Sequence, residues 1–146
     1  MPKRPLVLDT NVVLDAFVFL DASAQPVLRA LEERQLSWLA TQAMRDEFER
    51  VLGYANIEPW LASRELAKRD VLASFDRHAS LVETPCRAAV DCADPDDQMF
   101  IDLAVARRGL LLSKDRAVLR LKRRLAQLDV LTGALLPVQD QIAPLL

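Results

Sequence analysis

Short apolar runs alternate with longer amphipathic stretches along this chain, and this alternation limits the possible folds more than any other feature. The first run, Leu6-Val7-Leu8, contains no glycine and stops at Asp9, which is typical of a buried parallel strand. Further strands are predicted over residues 36–40, 81–83, 110–113 and 130–132. Helices are predicted over residues 11–20, 27–36, 42–52, 63–79, 94–108 and 117–128. The alternation favours an α/β fold with a central parallel sheet flanked by helices on both faces.

Three residues are expected to mark helix ends. Thr41 is a candidate N-cap for the helix over 42–52, and Gly53 is expected to close that helix. Gly109 is expected to end the helix over 94–108. The length of 146 residues suits one compact domain, which we place over residues 1–146.

The composition excludes several classes of protein. Gly53, Gly109 and Gly133 lie too far apart to form a phosphate-cradling loop or a dinucleotide fingerprint. Two cysteines and one histidine are too few for a structural zinc site or a disulfide framework. The net charge of −2 excludes bulk attraction to nucleic acid, so any such contact must use a local basic patch. Because no apolar run approaches the ~20 residues of a membrane span, and no signal peptide is evident, we expect a cytoplasmic protein.

Acidic residues follow the predicted strands. Asp9 comes directly after the first strand, Asp115 follows the strand over 110–113, and Asp94-Pro95-Asp96-Asp97 precedes the next predicted helix. The carboxyl ends of parallel strands are the edge at which α/β proteins bind ligands. Asp9 ends a buried run, where an ionised carboxylate is costly unless it is paired or bound to a metal.

A purely structural role is the alternative for most of these acids. Asp94 could cap the helix that follows it, with Asp97 as the acid of a capping box, and the helix dipole favours acids in a first turn. Asn11 and Ser113 could likewise be caps, and Asp115 could be an ordinary first-turn acid.

Glu47 lies on the flank of the apolar stripe of the helix over 42–52, beside Val51 and across from Met44. A solvated glutamate is not expected at that position, so the alternative to a functional role is an ion pair with an arginine at the rim. Asp102 and His78 are expected at the surface, Asp102 being solvated or paired with a neighbouring arginine.

In this order the motifs resemble the PIN-domain nucleases. The segments that carry the resemblance are 7–13 (Val-Leu-Asp-Thr-Asn-Val-Val), Glu47 in a second amphipathic helix, 94–104 (beginning Asp-Pro-Asp-Asp) and 111–115 (Leu-Leu-Ser-Lys-Asp). It covers the chain from Leu6 to about Thr132. It is closest to bacterial PIN proteins described as toxin components of toxin–antitoxin systems. The resemblance implies a PIN-like three-layer α/β fold.

The resemblance also implies an acidic metal site. Its catalytic metal ligands would be Asp9, Glu47, Asp97 and Asp115. Asp94 would be a supporting acid, and Asn11 and Ser113 fall where the family places supporting polar residues. Which of the adjacent acids Asp94, Asp96 and Asp97 faces the metal stays open at this point.

Converging carboxylates explain why such a site would need a cation. They repel one another, and a divalent ion relieves that repulsion. Oxygen ligands suit Mg²⁺ or Mn²⁺ rather than zinc. A water of lowered pKa could then hydrolyse a phosphodiester bond, with no cysteine or serine nucleophile.

Positive charge for the substrate is concentrated near the last predicted acid. Eight basic residues lie within the 18 residues from 107 to 124. Lys114 and Arg116 flank Asp115 and are expected to hold substrate phosphates, whereas the basic residues over 120–124 are equally typical of a solvated helix face. The resemblance implies single-stranded RNA as substrate, although these residues would suit single-stranded DNA equally.

The resemblance also suggests two protein partners. One is an antitoxin protein that blocks the acidic pocket or its approach. The other is a second copy of the chain in a homodimer, for which the apolar segment 16–20 could supply surface if it is not simply core.

Two other function classes fit part of the pattern. A phosphatase or a phospho-accepting receiver also places an aspartate after the first strand. The phosphatase pattern needs a second acid two residues later, where Asn11 stands, and the receiver's acidic pair is absent. The other class is a non-catalytic PIN-like module that binds RNA or protein, and the full set of acids argues against it.

Overall fold

A computed structural model describes residues 4–137 and shows one parallel sheet. Its strands are β1 (Pro5–Leu8), β2 (Ser37–Ala40), β3 (Ala79–Leu81), β4 (Leu110–Leu112) and β5 (Leu131–Gly133). Their order is β3-β2-β1-β4-β5, and every neighbouring pair is parallel. The expected domain over 1–146 includes residues 1–3 and 138–146, which lie outside the described part.

Helices connect the strands. They are α1 (Thr10–Leu14), α2 (Gln25–Glu32), α3 (Gln42–Leu52), α4 (Glu58–Ser63), α5 (Lys68–His78), α6 (Gln98–Arg107), α7 (Arg116–Leu119) and α8 (Lys122–Ala126). A π-helical turn, Asp15–Phe19, continues α1, and the 3₁₀ turns Ala22–Ala24 and Pro95–Asp97 lead into α2 and α6.

The strand order explains the three layers. The chain moves outward from β1 to β2 and β3, then returns to the other side of β1 for β4 and β5. Right-handed crossovers therefore place the helices before β3 on one face and those after β3 on the other. On the second face, α6 contacts β1 and β4. The expected α/β architecture is confirmed, and the reversal between β1 and β4 makes a topological switch point at their carboxyl ends.

Aromatic side chains fill the core on the first face. The Trp38 ring lies 4.6 Å from that of Phe75 and 6.0 Å from that of Phe17, measured between centroids. Ala16, Phe17 and Val18 are all buried, so most of the segment proposed as dimer surface is core. In that segment Leu20 is the exposed large apolar residue.

Several helix ends differ from the expectation because residues other than glycine take left-handed backbone conformations. These residues are Leu20, Arg34, Glu65, Arg108 and Asp129. Arg34 follows the end of α2, which is therefore shorter than the predicted helix over 27–36. Glu65 follows the end of α4, so α5 begins at Lys68 rather than at residue 63. Non-glycine residues seldom adopt this conformation, and sequence patterns therefore do not reveal these ends.

Two other elements differ in extent. The predicted helix over 117–128 is divided into α7 and α8, because the Leu121 amide bonds the Val118 carbonyl oxygen at 3.0 Å in a tighter turn. Strand β3 begins immediately after α5, two residues before the predicted start at 81. The Thr41 cap is confirmed, since its hydroxyl accepts from the Met44 amide at 3.4 Å.

The length and composition of the helices bear on the expectation that no segment spans a membrane. Within residues 4–137, no single helix is both long and apolar enough to cross a membrane. Thr10–Phe19 and Ala22–Glu32 meet the criteria of length and composition only as a pair bent by 108°.

Gly109 serves a different purpose from the expected helix end. Arg108 takes the left-handed conformation, with φ 51°, whereas a Cβ on Gly109 would lie 2.7 Å from the Pro5 carbonyl oxygen. The glycine thus permits close approach of β4 to β1.

Gly109→Ala should lower the free energy of unfolding by roughly 1–3 kcal/mol, the usual cost of overpacking. Urea denaturation measures this effect.

Gly133→Ala is the matched control, because its Cβ would meet the Leu135 carbonyl oxygen at an ordinary 3.7 Å. Equal urea midpoints for the two variants would contradict the proposed role of Gly109.

Candidate metal centre

Strand pairing brings the first and last predicted acids to the same edge of the sheet. Leu8 is in register with Leu112, and the Asp9 amide donates to the Leu112 carbonyl oxygen at 3.0 Å. Asp9 therefore lies beside the loop that carries Asp115. This position is the carboxyl end of β1 and β4, at the switch point of the sheet.

Ser113 connects these two acids. Its hydroxyl donates to Asp9 Oδ2 at 2.5 Å and accepts from the Asp115 amide at 3.0 Å. Ser113 is fully buried, so this link is shielded from water. The structure thus places Ser113 where it fixes the carboxylate of Asp9 and the backbone of Asp115 together.

Three of the acids cap helical segments. Asp9 caps α1, Asp94 caps the turn Pro95–Asp97, and Asp115 caps α7. Each accepts, through Oδ1, the amide two residues later, at 2.8–3.0 Å. The capping interpretation is therefore correct for Asp94, while Asn11 and Ser113 are not the caps.

The acids that could share an ion are Asp94, Asp97 and Asp115. Each offers a carboxylate oxygen, and these oxygens lie within 4.8 Å of one another. Asp96, the acid between the first two, is exposed and contributes its backbone amide to the Asp94 cap. The structure therefore brings Asp94 and Asp97, rather than Asp96, to the cluster.

Asp97 is the most strained electrostatically of these acids. It is 9% exposed, and its Oδ2 has no hydrogen-bond partner among the described residues. Burial, hydrogen bonding to Asp115 and the nearby charge of Asp9 raise the pKa of Asp97 to about 8. Burial also raises the pKa of Asp9, against the hydrogen bonds that it accepts from Ser113 and the Asn11 amide.

These shifts have one physical cause, which is that carboxylates are crowded where water cannot solvate them. A proton on Asp97 relieves the crowding, and so would a cation. The donors are all oxygen atoms, as Mg²⁺ and Mn²⁺ prefer. The residues therefore fit a hard divalent cation, and the unpartnered Oδ2 of Asp97 is consistent with such a site.

Glu47 lines the same cleft as Asp97, whereas Asp94 and Asp115 are not among the lining residues of that cleft. The cleft has a volume of about 290 Å³, and its lining includes Asp9, Asn11, Glu47 and Asp97. Glu47 accepts a hydrogen bond from the Thr10 hydroxyl at 2.5 Å. Within residues 4–137 it forms no ion pair, so the rim arginine considered as its alternative partner is not found.

The two predicted phosphate-binding residues differ in their surroundings. Lys114 forms an ion pair with the buried Asp15. Arg116 is exposed and takes part in no ion pair within the described part of the chain.

Two residues with structural roles near the site were not predicted from the sequence patterns. Asp15 is 5% exposed, and its place as the lone acid of an apolar helical stretch was the available signal. Gln98 holds the segment that leads to Asp94, donating to the Val90 carbonyl oxygen at 2.9 Å and accepting from the Cys92 amide at 2.7 Å. These contacts span only six and eight residues, but they join a helix to an irregular segment, and no short motif marks them.

Two surface expectations are wrong. Asp102 is partly buried and accepts hydrogen bonds from the Ala88 amide and Gln98 Nε2, both at 2.8 Å, instead of pairing with an arginine. His78 is half-buried, with its ring stacked 6.0 Å from that of Phe17. His78 gains its partner Phe17 from a distant segment, whereas Asp102 gains one partner from the loop before its helix and one from the preceding turn of that helix.

Comparisons with known proteins agree with this fold. A family model of the PIN domain matches residues 5–117. The fold is similar to the crystal structure of VapBC2 from Rickettsia felis bound to a DNA fragment from their promoter, with a TM-score of 0.59. That similarity covers 88% of this chain and 98% of the other at 12% identity, so it concerns the fold alone. No curated protein gives a significant match.

The raised pKa of Asp97 predicts how the metal-free protein responds to pH. Because the pKa lies at about 8 in the folded state against an ordinary 3.8, the folded state binds this proton more tightly. The resulting stabilisation is complete below about pH 4 and is lost as the pH rises through about 8. In EDTA, the Tm should therefore fall more steeply over this range in the wild type than in Asp97→Asn.

Thermal unfolding followed by circular dichroism measures both profiles, and Asp96→Asn is the control that should follow the wild type. Saturating Mg²⁺ or Mn²⁺ should flatten the wild-type profile, because the cation replaces the proton. Superimposable profiles for wild type and Asp97→Asn in EDTA would contradict the assignment.

Proposed function

The chain belongs to the PIN domain family, and from this premise we propose that it is a Mg²⁺- or Mn²⁺-dependent endoribonuclease that hydrolyses single-stranded RNA. The observation that carries the proposal is the buried Asp97 carboxylate. It lies within 4.8 Å of Asp94 and Asp115 and lines the same cleft as Asp9 and Glu47. PIN domains are generally nucleases.

Each acid has a proposed task. Asp94, Asp97 and Asp115 offer the closest set of oxygen ligands, and we propose that Asp9 and Glu47, which line the same cleft as Asp97, complete the catalytic set. A divalent cation held by these carboxylates would supply neutralising charge and would lower the pKa of a water molecule. Ser113 holds the Asp9 carboxylate, and Thr10 holds that of Glu47, so both are oriented before substrate arrives. Asn11 supports the site through its backbone amide, which donates a hydrogen bond to Asp9 Oδ1.

Substrate contacts are proposed from two exposed side chains near the cleft. Arg116 is exposed next to Asp115 and could bind a phosphate of the RNA backbone. Tyr54 lines the cleft with 46% of its surface exposed, so its ring could stack on a base.

We further propose that the protein is the toxin of a toxin–antitoxin pair. The similar fold of VapBC2 from Rickettsia felis supports this proposal. An antitoxin protein would then act by covering the acidic cleft. We also propose a homodimer. In segment 16–20, the exposed large apolar side chain that could contribute to its interface is Leu20.

The proposed activity predicts that Asp97→Asn loses cleavage while Asp96→Asn retains it. The first change removes a buried carboxylate of the cluster, and the second alters an exposed neighbour. Since disturbing even an outer-shell partner of a metal typically lowers affinity or activity by 10–100-fold, we expect Asp97→Asn and Asp9→Asn to lower the rate at least ~100-fold. Cleavage of labelled single-stranded RNA and DNA with Mg²⁺, Mn²⁺ or EDTA measures this.

Cleavage that persists in EDTA or in both buried-acid variants would contradict the proposal. RNA binding without cleavage by the wild type would favour the non-catalytic module, and release of phosphate from a small monoester alone would favour a phosphatase.

Tyr54 gives a separate prediction about RNA binding. Loss of one stacking platform typically costs about 1–3 kcal/mol per base, so Tyr54→Ala should raise the Kd for single-stranded RNA roughly 5- to 150-fold. Tyr54→Phe should retain most of the affinity. Fluorescence anisotropy in an Asp97→Asn background measures binding without cleavage.

Trp60→Ala is the control for exposed aromatic surface. Trp60 is similarly exposed, at 45%, but its ring packs against Phe19 at 5.0 Å and lies outside the lining of the cleft. An equal loss of affinity in both alanine variants would contradict a specific role for Tyr54.

A further inference from the structure

The ion pair between Lys114 and Asp15 gives Lys114 a role that the sequence did not suggest. We infer that Lys114 is a positioning residue, whose ammonium pairs with the Asp15 carboxylate and fixes the loop carrying Asp115 against the turn that follows Asp9, and that it does not bind substrate phosphate. The inference rests on the nuclease function proposed above.

Burial of Asp15 is the first argument. Its side chain is 8% exposed, and burying a carboxylate without a charged partner is costly. Lys114 is its ion-pair partner among the described residues. Releasing Lys114 to a phosphate would leave the Asp15 charge buried without compensation.

The location of the two residues is the second argument. Asp15 begins the π-helical turn that continues α1, so it follows Asp9 by six residues on the same connection. Its carbonyl oxygen accepts from the Asp21 amide at 2.9 Å, which fixes the backbone of this turn. Lys114 directly precedes Asp115. The ion pair therefore joins the two segments that supply Asp9 and Asp115, beside the hydrogen bond from Ser113.

Arg116 provides the contrast. It lies two residues beyond Lys114, is exposed, and has no ion-pair partner among residues 4–137. The Lys114 side chain is also exposed, at 42%, so the difference between the two cations is that Lys114 is engaged by Asp15 and Arg116 is not. The two side chains therefore form a matched pair for experiment.

The first measurement concerns stability and needs no RNA. Lys114→Met should lower the Tm by several degrees, because it leaves Asp15 buried and unpaired. Asp15→Asn combined with Lys114→Met should restore much of this loss, since the buried charge is then absent. Arg116→Met should leave the Tm unchanged. Additive effects of the two substitutions at 15 and 114 would overturn the inference.

The second measurement uses the RNA substrate. Lys114→Met should lower kcat by roughly 10-fold, as expected for an outer partner of a metal site, with little change in KM. It should leave the salt dependence of RNA binding unaltered. Arg116→Met should instead raise KM and reduce the slope of log K against log salt by about 0.7, the loss of one phosphate contact on a single strand.

These outcomes separate this inference from the nuclease proposal. If Lys114→Met behaves like Arg116→Met, with weaker and less salt-dependent RNA binding and an unchanged Tm, the positioning role is wrong although the wild type cleaves RNA. If the wild type cleaves no RNA under any metal condition, the nuclease proposal fails, and with it the positioning role in catalysis.

Discussion

Repulsion among carboxylates that are shielded from water is the constraint around which this molecule is organised. Asp9 and Asp97 are both buried at the end of the sheet where β1 and β4 stop, and burial raises the pKa of each. Hydrogen bonds from Ser113 and from the Asn11 amide satisfy Asp9, but Oδ2 of Asp97 stays without a partner in the described chain. Without a bound cation, such crowding lowers the stability of the fold. This cost distinguishes the cluster, as a candidate site, from a set of ordinary surface acids.

Capping and metal binding do not compete for these acids. Asp94 and Asp115 each cap a helical segment through Oδ1. Accepting one hydrogen bond from a backbone amide leaves a carboxylate able to bind a cation. The cap in fact orients the carboxylate, because the backbone amide that donates the hydrogen bond belongs to a rigid first turn. The structural interpretation of the Asp94 motif and the functional one are therefore two descriptions of the same geometry.

The sequence predicts the layers and the edge of the sheet well, because both follow from local patterns. Strand β1 is recognisable from its apolar run, and the acids after β1 and β4 must share an edge once the strands are parallel. The flanking position of Glu47 on its helix is also local information. Contacts such as Gln98 with the Val90 carbonyl, or Lys114 with Asp15, join residues that no periodicity relates. Left-handed helix ends at Arg34 and Arg108 likewise depend on packing that overrides local preference.

Packing of α6 finally decides where Asp97 lies. Asp97 precedes Ile101 and Ala104 on one face of this helix, and both apolar side chains are fully buried. The helix contacts β1 and β4, the same strands whose ends carry Asp9 and the Asp115 loop. Since a close-packed interior transmits small displacements, the distances among the acids are set by the apolar contacts beneath them. Gly109 allows β4 to approach Pro5 at the amino ends of these strands, and so supports the pairing of β1 with β4 whose carboxyl ends carry the acids.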